Sequence, residues 1–151
     1  MQNGGLAPIG WLADKAGKRT VAGQLRFVMY DRQSFWSLAK AGNYDGTQVH
    51  GHWYVTNTSN RPIRVLKARF RKHSRTIESH VFTKQQDGNM FGSKYEIPSG
   101  AISELTADFI FVPPIARLAR ALVADLIFTD NYGDEHRVRS TFHPIGRGAA
   151  G

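Results

Sequence analysis

Hydrophobic and polar residues alternate with a period of two along most of the chain after residue 21. Successive side chains of a β-strand point to opposite faces, so this alternation predicts strands with one buried and one exposed face. The predicted strands are 25–29, 35–38, 48–56, 63–72, 77–83, 91–97, 103–112, 122–128 and the segment around 138–142. Turn-forming clusters such as 57–60 and 130–134 separate them. We therefore expect an all-β, antiparallel domain of eight or nine short strands, arranged as a sandwich or a barrel.

The two ends of the chain differ in composition from its middle. Residues 1–20 are predicted to form an irregular lead-in, with a short helix at 11–16 that Gly17 ends. Apart from Arg147, residues 146–151 are all glycine or alanine, which indicates a flexible tail. Residues 21–145 are then the β-sandwich domain, and a chain of this size can bury a self-sufficient core.

Several classes of chemistry are absent from the sequence. The chain has no cysteine, which excludes disulfides, thiolate nucleophiles and thiolate metal sites. It carries no serine nucleophile elbow, phosphate-cradling loop or zinc-binding helix motif, so we expect a non-enzymatic protein without a cofactor. It has no apolar run near the roughly 20 residues that cross a bilayer and no secretory signal, so we expect a cytoplasmic protein that does not bind membranes.

Positive charge is concentrated in the first half of the chain. Residues 1–75 hold 13 Lys and Arg against three acids, whereas residues 76–151 hold seven against nine. Within the strand predicted at 63–72, Lys67, Arg69 and Arg71 alternate with apolar residues and so share one face. With Arg137 and Arg139 they are the candidate binding residues for a polyanion such as a nucleic acid.

An alternative role for the basic strand is structural. Its cations would then form cross-strand ion pairs with Glu104 and Asp108, which alternate along another predicted strand. An acidic protein is a third interpretation of the same residues.

Residues 97–142 resemble the last strands of bacterial immunoglobulin-like sandwiches. The resemblance rests on the turn Ile97-Pro98-Ser99-Gly100, on the alternating segment 107–111 and on the segment 124–133, which ends in Asp130-Asn131-Tyr132-Gly133. The chain lacks both cysteines of the antibody-type inter-sheet bridge. The resemblance implies a module that binds or scaffolds other proteins, and it transfers no functional residue.

We therefore predict an immunoglobulin-like interaction module that recognises another protein or assembles with itself. Two large aromatic residues beside turn-rich sequence, Phe35 and Trp36, are its candidate interface anchors. The other interpretations of this pair are packing in the core and covering of an edge strand.

Two histidines separated by one glycine, His50 and His52, are the candidate metal ligands. Residues i and i+2 of a strand share a face, so both imidazoles could bind one transition-metal ion. This pair, with Gly92 and the later Pro98-Ser99-Gly100, resembles the motifs of the cupins, which are metal-binding β-barrels.

The chain departs from the cupin pattern at two ligand positions. Thr56 stands where the family has a glutamate, and Ser103 where it has a later histidine. Glu104 is then the candidate for a distant third ligand, since two imidazoles alone make an incomplete site. Without a metal, the same histidines form a solvent-facing or interface strip.

Overall fold

The computed structural model describes residues 24–72, 76–84, 90–92, 96–116 and 119–145. The predicted lead-in with its helix and the predicted tail lie outside the described residues. Within them the protein is all-β, as predicted, with one short 3-10 turn at Asp31–Gln33. None of the described residues forms a helix that is long and apolar enough to cross a membrane. The strands are β1 (Leu25–Met29), β2 (Phe35–Ala41), β3 (Tyr44–Asn57), β4 (Val65–Phe70), β5 (Thr76–Lys84), β6 (Met90–Gly92), β7 (Ile102–Phe111), β8 (Leu122–Asp130) and β9 (Glu135–Pro144).

The strands are hydrogen-bonded in the order β4-β8-β9-β2-β3-β7-β5-β6, and β1 also pairs with β3. The long strand β3 pairs with β7 along one edge, while β1 and β2 follow one another along its other edge. These pairings are antiparallel; β2 also pairs in parallel with β9 through Phe35↔His143 and Trp36↔Pro144. This short parallel contact connects β4, β8 and β9 to the rest of the sheet.

Buried aromatic rings join the inner face of β4, β8 and β9 to that of β3 and β7. The ring centroid of Phe70 on β4 lies 5.0 Å from that of Phe109 and 4.7 Å from that of Phe111, both on β7. Across the same core, Trp53 on β3 and Phe128 on β8 make an edge-to-face contact at 5.1 Å. All five side chains are almost completely buried, and burying each one contributes on the order of 1.5–3 kcal/mol.

One position in β4 departs from the period-two prediction. The alternation predicted that Leu66 faces the core with Ala68 and Phe70, and for Leu66 the prediction is wrong. The pairing with β8 shifts register between Val65 and Lys67, as at a β-bulge, so the strict alternation is interrupted there. Val65 is fully buried as a result, and Leu66 is 41% exposed.

Candidate functional site

Five polar or aromatic residues share the outer face of β3 and β7, the face that points away from the core. The register sets His50 opposite Asp108 and Tyr54 opposite Glu104, and His52 lies between these two rows. On β3 the alternating partners Val49, Gly51, Trp53 and Val55 are all buried on the inner face. The core therefore fixes which way β3 turns, and so places both histidines on the outside.

His50 is held by a carboxylate from the neighbouring strand. Its Nδ1 lies 2.6 Å from Oδ1 of Asp108, and the two side chains are 25% and 33% exposed. The Phe35 ring from β2 packs beside the imidazole, with centroids 5.3 Å apart. This arrangement leaves Nε2 as the ring nitrogen of His50 that Asp108 does not occupy.

His52 is more deeply buried and is bonded at both ring nitrogens. Nε2 lies 2.9 Å from Oε1 of Glu104, and Nδ1 lies 2.7 Å from Oε1 of Gln33 in the 3-10 turn. Its backbone N–H donates to Oγ of Ser34 at 3.1 Å. The Tyr30 ring packs 5.4 Å from the imidazole, so His52 is fixed from several sides.

A carboxylate that binds one nitrogen of an imidazole fixes the tautomer and orientation of the ring. It also makes the second nitrogen a better ligand, and this arrangement is typical of histidines that bind metals. Glu104, the third ligand predicted from the sequence, is thus brought to His52, and Asp108 is brought to His50. The described residues nevertheless contain no group of three or more His, Cys, Asp or Glu already arranged to hold a metal ion.

A third histidine position belongs to the same row of the sheet. In the pairing of β5 with β7, the Cα partner of Asp108 is His80, while β3 places His50 on the other side of the same aspartate. Period-two alternation does not reveal that these positions are neighbours, because the pairing joins strands that are distant in the chain.

An exposed apolar margin borders the histidines on the same face. Val28 of β1 is the register partner of Tyr54 on β3. Two residues further along β3, Thr56 is the register partner of Ile102 on β7. Val28 is 58% exposed, Tyr54 37% and Ile102 65%. These three residues, here called the apolar margin, place hydrophobic surface directly beside a polar cluster.

The five basic residues predicted to act together lie on a different face. Arg69 and Arg137 flank Ile127 of β8 in one row, and Lys67 and Arg139 lie in rows on either side of it. Arg71 follows β4 directly, and its backbone N–H donates to the carbonyl of Asp125 at 2.9 Å. The structure therefore collects all five on the outer face of β4, β8 and β9.

The acids beside these cations differ from those considered in the sequence. β4 pairs with β8 and does not adjoin β7, so Glu104 and Asp108 are not partners of the basic strand. Arg69 instead lies 3.5 Å from Glu135, and Asp125 lies 3.9 Å from Arg71 and 3.1 Å from Arg139. The ion pairs predicted with Glu104 and Asp108 are replaced by these.

The two candidate interface anchors have different environments. Trp36 is 3% exposed, and its indole N–H donates to the carbonyl of Arg120 at 2.7 Å. Trp36 is therefore a core residue. Its ring is buried and its N–H is already hydrogen-bonded, so it offers no surface to a partner. Phe35 is half-buried beside His50 and keeps some exposed surface.

One buried polar pair carries no recognisable signal in the sequence. His136 is 3% exposed, and its Nε2 lies 2.8 Å from Oδ2 of Asp130. Oδ1 of Asp130 accepts the backbone N–H groups of Tyr132 and Asp134. Asp130 thus organises the β8–β9 turn from within, while Nδ1 of His136 is buried without a partner among the described residues.

The comparisons with known proteins concern the fold. No protein-family model matches the chain, and no curated protein matches it. Among solved structures, the apo PmoF2 PCuAC domain matches with a TM-score of 0.52 at 8% identity, over 82% of this chain and 93% of that one. The copper-bound PCuAC domain from PmoF2 matches with a TM-score of 0.43 at 10% identity, over 83% and 97%. The first likeness shows a shared β-rich fold and assigns no residue of this chain a role.

Proposed function

We propose that this chain is a metal-binding β domain, and that its site lies on the outer face of β3 and β7 at His50 and His52. The observation that carries the proposal is the Asp108 carboxylate behind His50, which orients the ring and leaves Nε2 for an ion. His52 stands two residues away on the same strand face, within reach of the same ion.

The donor types favour a first-row transition metal. Imidazole nitrogens suit zinc, copper, iron and nickel, and Cu²⁺ is the tightest of the divalent ions at a given site of nitrogen and oxygen donors. His52 must release Glu104 to offer Nε2, and the released carboxylate then stands next to the ion as a third ligand. The proposal rests on these side chains, because the likeness to a PCuAC domain bears on the fold only.

Metal analysis tests the proposal. Protein purified without an affinity tag and titrated with Cu²⁺ or Zn²⁺ is expected to bind about one equivalent, and binding should raise the unfolding temperature. His50→Gln removes the oriented ligand and should abolish both effects, whereas His143→Gln, on an exposed residue of β9, should leave them unchanged. The His80→Gln variant tests whether His80, the register partner of Asp108 on β5, contributes to metal binding. Equal binding by wild type and His50→Gln would refute the site.

At the level of the fold, we propose an immunoglobulin-like sandwich. Two features support it: the aromatic core between the two strand groups, and the early strand β2, whose first residues pair with β3 on one side and in parallel with the last strand β9 on the other. In this arrangement the histidine face and the basic face are the two opposite outer surfaces.

A second candidate function is recognition of another protein, and the apolar margin favours it. Val28, Tyr54 and Ile102 expose hydrophobic surface around a patch that also offers aromatic rings and hydrogen-bonding groups, which is the composition of an interface core. Ile102→Asp should then abolish a self-association measured by light scattering, while Val123→Asp, at a similarly exposed position of β8, should not. A chain that stays monomeric at all concentrations and captures no stoichiometric partner would count against this function.

A further inference from the structure

Two rows of cations run along the outer face of β4, β8 and β9, on the far side of the core from the histidines. One row is Lys67, Arg69 and Arg71, and the other is Arg137 and Arg139. We propose that this face, here called the basic face, binds the phosphate backbone of double-stranded nucleic acid without reading its bases. The proposal is independent of the metal site, with which it shares no residue.

The spacing of the two rows follows from strand geometry. Cations two residues apart on one strand stand about 6.6–6.8 Å apart, and rows separated by one intervening strand stand about 9–10 Å apart. On the intervening strand β8 the residues of the same face are Val123, Asp125, Ile127 and Thr129, of which Ile127 and Thr129 are buried between the two rows. The cations therefore form two parallel rows whose charges repeat at distances that suit successive phosphates.

The balance of charge on this face favours a polyanion. Among the residues that the structure describes on this face, five cations stand beside two carboxylates, Asp125 and Glu135, which is an excess of three positive charges. The ion pairs are loose: Arg69 and Arg71 are about half exposed and Arg139 is 70% exposed despite their partners. Each guanidinium has five N–H donors, so an arginine that is half exposed can bind a phosphate while it keeps its carboxylate partner.

The composition of the face selects among polyanions. Four of the five cations are arginines, whose planar fork matches two phosphate oxygens at once. The described outward positions of β4, β8 and β9 carry no Phe, Tyr or Trp, and single-strand binders depend on such rings to stack bases. Phosphate contact without stacking fits a duplex, in which the bases are already stacked.

Titration of labelled duplexes in increasing salt tests the inference with the 151-residue chain. Log affinity should fall linearly with log salt, with a slope of about −0.9 for each phosphate contacted. Replacing Arg69, Arg137 and Arg139 by Gln should flatten the slope by two to three units and weaken binding about 100-fold near 0.1 M salt. The matched control replaces Arg26, Arg32 and Lys40, three exposed cations outside the basic face, and should retain most of the affinity and the original slope.

A variant that makes the basic face more positive should have the opposite effect on duplex affinity. Asp125→Asn removes the carboxylate shared by Arg71 and Arg139, so it should strengthen duplex binding by several-fold and steepen the salt dependence. Asp45→Asn makes the same change in net charge beside Lys40, away from the basic face, and should have a much smaller effect. Thermal unfolding of each variant shows whether the fold is intact.

We expect tighter binding to a duplex, of DNA or of RNA, than to a single strand of equal length. Comparing the DNA duplex with the RNA duplex shows which of the two the basic face prefers. Three outcomes would overturn the inference: no binding at low salt, equal losses in the two triple variants, or tighter binding to the single strand. Equal gains from Asp125→Asn and Asp45→Asn would also overturn it, because they would show an effect of net charge alone.

Discussion

The indole ring of Trp53 lies directly over the α-carbon of Gly51. A Cβ on Gly51 would overlap Cη2 of Trp53, and two further atoms of the ring would lie within 2.8 Å of it. Real Cβ atoms are not found at such distances, so the ring packs there only because the residue is glycine. The glycine between the two histidines is therefore required by the core, and it needs no metal to explain it.

Gly51→Ala is expected to lower the free energy of unfolding by about 1–3 kcal/mol or more, because a rigid, fully buried ring must move to admit one methyl group. Urea denaturation measures the loss. In a Trp53→Leu background, which vacates the space above Gly51, the same substitution should cost much less. An equal cost in the two backgrounds would contradict the contact.

The two histidines should differ in their contribution to stability. His52 is 7% exposed and bonded to Gln33 and Glu104, so His52→Ala leaves polar groups unpaired in a buried setting and should cost about 1–3 kcal/mol. His50 is more exposed, water can replace it at Asp108, and His50→Ala should cost about 0.5–1 kcal/mol. Chemical denaturation of both variants, with His143→Ala as the control, measures which histidine contributes more to stability. A larger loss for His50→Ala than for His52→Ala would contradict the deeper burial of His52.

Asp130 should be the most sensitive carboxylate of the β8–β9 turn. Asp130→Ala removes the acceptor of two backbone N–H groups and leaves His136 buried without its partner, so we expect a loss of about 3–5 kcal/mol. Asp45→Ala, at a side chain 73% exposed, should stay within about 0.5 kcal/mol. Similar losses in the two variants, measured by urea denaturation, would contradict the organising role of Asp130.

Much of the strand pattern could be predicted because period-two alternation is a local property of the sequence. It placed β1, β3, β7 and β8 close to their observed positions and predicted correctly that the side chains of Lys67, Arg69, Arg137 and Arg139 face outward. It failed at Leu66, because a bulge depends on the pairing with β8 and leaves no mark on the composition of β4 itself.

The contacts of the candidate site could not be predicted in the same way. The sequence identified His50, His52 and Glu104, but their proximity depends on a register between strands about 50 residues apart, which alternation does not fix. The burial of His136 was missed for a related reason: its partner Asp130 has the appearance of an ordinary turn residue until the turn is closed.

The number of imidazoles bound to a copper ion tests the central claim most directly. Wild-type protein loaded with one equivalent of Cu²⁺ should show two imidazole nitrogens coupled to the ion in pulsed electron paramagnetic resonance, one from His50 and one from His52. His50→Gln should abolish binding and with it the signal of bound copper, and His143→Gln should leave the spectrum unchanged. A wild-type spectrum without imidazole coupling, or one identical to that of His50→Gln, would contradict a metal site on the outer face of β3 and β7.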